Sequence, residues 1–420
     1  QVVAQGRATA RAAEELDEFE HAGTTLSTRR VAIVMTVAGQ SVASTVWLDE
    51  AGDIVVLEQP DGAVRFVRRT GDAAASGGQN SGESAAPGAT GAGAFLASAR
   101  ECVDVTEVTV ESTGATLAGL LSLPRADGGA AAEPVPTVLV LPGSGAVDLA
   151  GTAAPIIRNS GLEQLAYALG CHGYGVLRIA KLGIPPSTGD GNAVTLDTYA
   201  RNTADWLALL AAHPGIDGRR LAVLGHSEGG LVALYATATG SIEPAALLLV
   251  ATPGRPMDVL LEEQLVARAE ESGASAEQVA ELRRQVGEAV AAIRASTGTR
   301  LELTGDLAEN PVAQLFGHAA GLLRTEMEQD PAELIAGIDA PILIVQGAKD
   351  MQVRPVDGAA LAAAAPGAVL VAPTDMTHNL VDVTGDALEG LVPGPDAVIS
   401  AALLLAVGTF LDDHLRPTGH

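Results

Sequence analysis

The run Leu221-Ala222-Val223-Leu224-Gly225-His226-Ser227-Glu228-Gly229-Gly230 carries the sharpest chemical signal in the chain. An apolar, strand-like stretch leads into G-x-S-x-G, and a helix-like stretch leaves it. A serine hydroxyl is a weak nucleophile until a base takes its proton and the backbone exposes its oxygen. A tight strand-to-helix turn supplies the exposure. It pushes the side chain out above the sheet, and the glycines at positions −2 and +2 let strand and helix approach closely. The start of the helix then sets the positive end of its dipole beside a forming oxyanion. Type, spacing and context together make Ser227 the candidate nucleophile.

The serine needs a base, and the base needs an orienting carboxylate. Downstream of a nucleophile on such a turn, the acid comes first and the histidine second. The apolar run Pro341–Val345 ends in Gln346-Gly347-Ala348-Lys349-Asp350. Asp350 therefore falls on the loop past the carboxyl end of a strand, where reactive groups of open α/β sheets collect. Asp375 and Asp382 lie on the next loop and are weaker candidates. Of the histidines after Asp350, His414 falls in a closing helix and His420 at the terminus, which leaves His378 as the base. His226 is expected to point away from the nucleophile across the turn, in a structural role. His318 is a candidate pocket residue. The oxyanion needs two N–H donors. One is Glu228, directly after the nucleophile. The other is Ser144 in Pro142-Gly143-Ser144-Gly145, which follows the apolar run Pro136–Leu141 and whose glycines let an amide turn inward. No Cys/His spacing forms a zinc site, and the chemistry calls for no metal or cofactor.

These residues need a frame. From about residue 100 the chain alternates strands and helices, which implies a mostly parallel sheet covered on both faces. Val105–Glu111 and Leu117–Leu123 read as an entry hairpin; Gly175–Ile179, Arg220–Leu224, Ala245–Val250 and Ala368–Val371 read as further strands. Leu196–Leu210 and Val398–His414 read as helices. Residues 252–338 break the rhythm. Val279, Leu282, Val286, Val290 and Ile293 repeat every three or four positions, and Ser275 with Gln278 forms a capping-box pattern. This insertion is expected to be a helical lid. Upstream, residues 7–20 carry a helical, acidic pattern, and four short runs from Val31 to Val67 read as strands of a small β unit. Residues 71–94 are dominated by Gly, Ala and Ser and read as a flexible linker. The expected division is a β-rich amino-terminal domain over 1–70, a linker over 71–99 and a catalytic domain over 100–420 with its lid at 252–338.

The chain has 420 residues, enough for two or three domains, and 47% hydrophobic residues, enough for a large core. Its net charge is −26. That field repels phosphate backbones, so nucleic acid is not an expected partner. No apolar run reaches the length of a membrane span, so stable membrane insertion is not expected. Two cysteines, Cys102 and Cys171, allow one disulfide or two buried thiols. Residue 1 is Gln, consistent with a processed chain, and export to the periplasm or beyond is the expectation.

Several stretches resemble the α/β-hydrolase superfamily, and more narrowly bacterial serine carboxylesterases with a β-rich amino-terminal domain. They are Gly114–Pro124 with the P-G-S-G loop and Asp148, then G-H-S-E-G-G, then Thr252-Pro253-Gly254-Arg255 leading to Glu263-Gln264. Gly347 through Asp350 to Val353, and His378 followed by Thr384-Gly385, complete the likeness over about residues 103–415. Such esterases tend to carry an Arg-Asp-Arg-Gly loop where this chain has Arg178-Ile179-Ala180-Lys181-Leu182-Gly183. They also tend to have Arg where this chain has Leu149. Both loops are expected to flank the pocket entrance. The resemblance implies hydrolysis of a small-molecule ester. Short-to-medium acyl chains are the first expectation, with polyesters and xenobiotic esters next. The alternative is a serine peptidase or amidase, with Glu262, Glu263 or Glu326 receiving a free amino group. A non-catalytic binding protein on the same fold is a third reading, and it leaves Ser227 unreactive towards a fluorophosphonate.

Overall fold

A computed structural model describes residues 6–21, 24–37, 40–48, 54–58, 65–67, 91–126, 129–130, 133–153, 157–385, 387 and 392–416. Residues 71–90 of the linker expected over 71–99 lie outside them. Two compact units result. One comprises Ala4–Ser84 with Glu262–Val286, and the other is built from Ala85–Leu261 and Gly287–His420.

The first unit holds an antiparallel meander of β1 (Gly6–His21), β2 (Thr24–Val37), β3 (Gln40–Leu48), β4 (Ile54–Glu58) and β5 (Arg65–Val67), in that spatial order. The four short runs expected as strands from Val31 to Val67 correspond to β2 to β5. The helix expected over residues 7–20 is not: that segment is β1. It pairs with β2 from Gly6↔Val37 to His21↔Thr24, with an irregularity between Ala12 and Leu16. The helix preference of Ala, Glu and Leu is a fraction of a kcal/mol per residue. A long neighbouring strand that satisfies the backbone along the whole segment overrides it.

In the second unit, α1 (Gly91–Arg100) leads to the hairpin β6 (Val103–Ser112) and β7 (Ala115–Ala126), then β8 (Gly129–Ala130) and β9 (Val135–Leu141). Next come α2 (Gly161–Cys171), β10 (Gly175–Ile179), α3 (Leu196–Ala212), β11 (Ile216–His226), α4 (Glu228–Ala238) and β12 (Ala246–Val250). The insertion holds α5 (Met257–Glu271) and α6 (Ala276–Ala295), whose residues 262–286 are grouped with the first unit, and then α7 (Pro311–Phe316), α8 (Ala320–Met327) and α9 (Pro331–Ala336). The chain closes with β13 (Ile342–Val345), α10 (Pro355–Ala364), β14 (Val369–Val371) and α11 (Ala401–Leu415). Residues 91–99 of the expected linker are thus helix. Phe95 and Leu96 are the packing side chains the upstream stretch lacks, and they lie against the core beside the buried Ala99.

The sheet runs β14-β13-β12-β11-β9-β10-β7-β6, with β8 paired to β7. From β14 to β10 all neighbours are parallel, while β7 and β6 are antiparallel additions at one side. β9, β10, β12 and β13 carry apolar runs because both faces of the sheet are covered. Side chains alternate between the faces. Leu139, Leu177, Val223, Leu247 and Ile344 join one core with Trp206 and Leu210 of α3. Val138, Val176, Leu224, Leu248 and Leu343 join the other with Leu165 of α2 and Leu411 of α11. A disulfide between Cys102 and Cys171, Cα atoms 4.9 Å apart, ties the start of β6 to the end of α2. The insertion is helical as expected, and Ser275 and Gln278 close the capping box at 2.7 and 3.3 Å. Among the described residues no helix is long and apolar enough to cross a membrane.

Candidate active site

Ser227 stands between β11 and α4 with φ +55° and ψ −124°. Such a backbone costs about 1–3 kcal/mol for a residue with a side chain. It persists because both flanks are fixed. The Ser227 N–H donates to Val250 O at 2.9 Å, and the Gly230 N–H donates to Ser227 O at 2.9 Å. A Cβ on Gly225 would lie 2.3 Å from Gly229 O, and one on Gly229 would lie 2.3 Å from Leu141 O. Only glycines let β11, α4 and β9 meet this closely, which is what the spacing of the motif encodes.

Asp350 and His378 lie on the loops that follow β13 and β14. Nδ1 of His378 lies 2.9 Å from Asp350 Oδ2, and Nε2 lies 3.0 Å from Ser227 Oγ. All three side chains are buried. Asp350 Oδ1 accepts the N–H groups of Gln352 and Val353, each at 2.9 Å, and Gln346 Nε2 donates to Oδ2 at 3.3 Å. With Asp350 accepting from Nδ1, the free lone pair of a neutral ring is on Nε2, facing the serine. The two loops are also laced to each other. Ala348 N–H donates to Pro373 O and Lys349 N–H to Met376 O. Lys349 Nζ pairs with Asp375 at 2.8 Å and also donates to Val383 O and Gly385 O. Asp375, the weaker acid candidate, is therefore the partner of Lys349, whose hydrogen bond and charge hold its carboxyl below its ordinary value. Asp382 sits in an isolated bridge with Met376.

His226 does not point away from the site. Its Nε2 donates to the carbonyl of His378 at 2.9 Å, and the two rings are 5.1 Å apart. Burial first, and the neighbouring His378 second, lower its pKa to about 4. The residue before Ser227 thus braces the backbone of His378. The sequence supplies its neighbour but not its rotamer. His318 is half-buried in a short 3-10 turn before α8.

The other side of Ser227 is built differently. Gly143 stands against the nucleophile: a Cβ there would lie 3.1 Å from Ser227 Cβ. Ser144 follows it, exposed. Lys181 Nζ donates to Gly143 O at 2.7 Å and to Glu228 Oε1 at 2.9 Å. Both side chains are buried, at 8% and 7% exposure. Burial alone raises the Glu228 carboxyl, but the charge and hydrogen bond of Lys181 reverse this and keep it ionised. Glu326 of α8 is buried as well; burial and then the Glu228 charge push its carboxyl well above the ordinary range. Arg178 is buried, lies 3.6 Å from Glu163 and 5.4 Å from the centre of the Tyr167 ring, and donates to Leu149 O. Within the loop expected to flank the pocket entrance, the side chains of Arg178 and Lys181 both bond to the loop that follows β9. Sequence reasoning assigned Lys181 no role. The available signal was a carboxylate next to the nucleophile at the start of an otherwise buried helix, since a buried charge demands a partner.

A family model described as the alpha/beta hydrolase family matches residues 138–391, over half of the chain, and the chain belongs to that family. It is 24% identical over 241 residues to Esterase EstD of Thermotoga maritima, covering 57% of this chain and 52% of that protein. The chain thus spans about half the length of this curated relative. Among solved structures, Est1E from Butyrivibrio proteoclasticus, with ferulic acid bound, is 16% identical at a TM-score of 0.47, covering 73% of this chain and 98% of that one. The esterase PF2001 of Pyrococcus furiosus is 15% identical at a TM-score of 0.46, covering 75% and 92%.

Proposed function

We propose that the protein is a serine carboxylesterase acting on short-to-medium acyl esters through an acyl-enzyme. The observation that carries this reading is the hydrogen-bonded chain from Asp350 through His378 to Ser227 Oγ, at 2.9 and 3.0 Å. Ser227 Oγ attacks the ester carbonyl as Nε2 of His378 takes its proton. Asp350 orients the ring and stabilises the imidazolium. The N–H groups of Ser144 and Glu228 receive the oxyanion, and the α4 dipole adds to them. His378 returns the proton to the leaving alcohol, then activates the water that releases the acid.

The peptidase alternative needs a fixed anion for a free amino group. Burial and the Glu228 charge push the Glu326 carboxyl well above its ordinary range, against a fixed anion there, and Glu262 is paired with Arg283. Both facts favour the ester. The Cys102–Cys171 bridge supports an oxidising location, and with it the proposal that the protein is exported. The insertion is proposed to shape the acyl pocket.

The test is hydrolysis of a p-nitrophenyl ester series from acetate to palmitate, with Ser227→Ala alongside. Turnover that peaks at short or medium chains and vanishes in the variant supports the proposal. A folded wild-type protein that turns over none of the series, or an unaffected variant, sinks it.

A further inference from the structure

We propose that Lys181 is the positioning residue of the oxyanion hole, a single ammonium that ties its two walls together; the inference rests on the serine-hydrolase reading above. One wall is the loop after β9, the other the first turn of α4. Lys181 Nζ reaches both, through Gly143 O at 2.7 Å and Glu228 Oε1 at 2.9 Å. Gly143 precedes the proposed donor Ser144 and faces Ser227. Glu228 is the residue whose own N–H is the second donor. The contacts are thus made on the same residue as one donor and on the residue before the other.

The anchor is itself rigid. Lys181 leaves the end of β10, and Ala180 N–H donates to Ala118 O at 3.0 Å. Ser187 Oγ donates to Ala180 O at 2.8 Å and accepts from Ala118 N–H at 2.8 Å. Gly183, at φ +79°, lets the loop double back: a Cβ there would lie 2.3 Å from Gly191 N. The Tyr199 ring of α3, centred 5.8 Å from Nζ, covers the ammonium. Burial, and then the Glu228 charge, push the other nearby carboxyl, Glu326, well above its ordinary range, while the ion pair and hydrogen bond of Lys181 are made to Glu228.

Oxyanion donors act by being fixed before charge develops, and a misplacement of about 1 Å costs on the order of 100-fold in rate. An ammonium bridging two walls sets their separation. It does so without touching substrate, so it is a positioning residue and not a catalytic one.

The test measures phosphonylation of Ser227 by a fluorophosphonate, because the phosphoryl oxygen needs the same donors whichever substrate the protein prefers. In each variant the final amplitude counts folded sites, and the rate constant reads how well they are arranged. Lys181→Met is expected to lower the rate constant about 10- to 100-fold and kcat for the best p-nitrophenyl ester in parallel, with KM nearly unchanged. Removing one partner of a buried pair leaves an uncompensated charge, so this variant alone can fail to fold. Lys181→Met with Glu228→Gln removes both charges, keeps both backbone donors and is expected to label to full amplitude at the same slow rate. Full amplitude at the wild-type rate in the double variant overturns the proposal, and so does a loss confined to amplitude in both. Wild-type protein that labels but hydrolyses no ester removes the ester reading and leaves this comparison standing. Wild-type protein that does not label removes both.

Discussion

The two sides of Ser227 are held by different means. The base side is laced: Asp350 accepts from two backbone amides and a glutamine, its loop is bonded to the His378 loop by two backbone contacts, and His226 braces the His378 carbonyl. On the other side, where the oxyanion donors are proposed, one ammonium joins Gly143 O to Glu228 Oε1. The lesson concerns tolerance. A site held by many neutral backbone bonds loses little when one supporting side chain goes. A site held by one buried ion pair loses much, because removing one partner leaves the other charge buried and uncompensated.

The largest effect expected in this comparison is on the orienting acid itself. Asp350→Asn is expected to lower kcat by about 10³- to 10⁴-fold, through the wrong tautomer of His378, with folding intact. Steady-state kinetics beside a thermal melt checks this; a loss below tenfold moves the acid elsewhere. Lys181→Met comes next, in the range given above. Lys349→Met is the control from the base side. It removes the Asp375 pair and two carbonyl contacts, yet leaves Lys349 N–H on Met376 O and Ala348 N–H on Pro373 O. Its kcat is expected within about tenfold of wild type. A Lys349 variant as damaged as the Lys181 variant erases the contrast between the sides.

The smallest effect is on acid stability. His226 has its pKa lowered to about 4 in the fold, against an ordinary value of 6.5. The unfolded chain takes the proton first, so between pH 6.5 and about 4 acidification favours unfolding. Stability from this group is present above pH 6.5 and is lost as pH falls towards 4. Melting temperature against pH is expected to fall more steeply across that window in wild type than in His226→Gln. Equal slopes remove His226 from the account.

The same asymmetry explains how far the sequence could be read. Ser227, Asp350 and His378 each follow a strand end, and the order of nucleophile, acid and histidine is a property of the chain itself. The parallel strands were legible because both faces are buried and the runs are therefore apolar. Lys181 was not, because its contacts lie 38 and 47 residues away and hang on side-chain reach. The direction of His226 is likewise a rotamer. The strand at residues 7–20 and the helix at 91–100 failed for a related reason. Local composition favours helix in one and linker in the other, and contacts outside each segment decide both: pairing with the next strand, β2, for the first, and the packed core for Phe95 and Leu96 in the second.

The central claim is that Ser227 is the nucleophile of a hydrolase whose base is His378. It is tested most directly by titrating the protein with a fluorophosphonate, locating the adduct by mass spectrometry and following p-nitrophenyl acetate hydrolysis in the same samples. The account predicts one adduct per chain, on the peptide that contains Ser227, with hydrolysis lost in proportion to labelling. Full labelling at another residue, or hydrolysis that survives complete modification of Ser227, contradicts it.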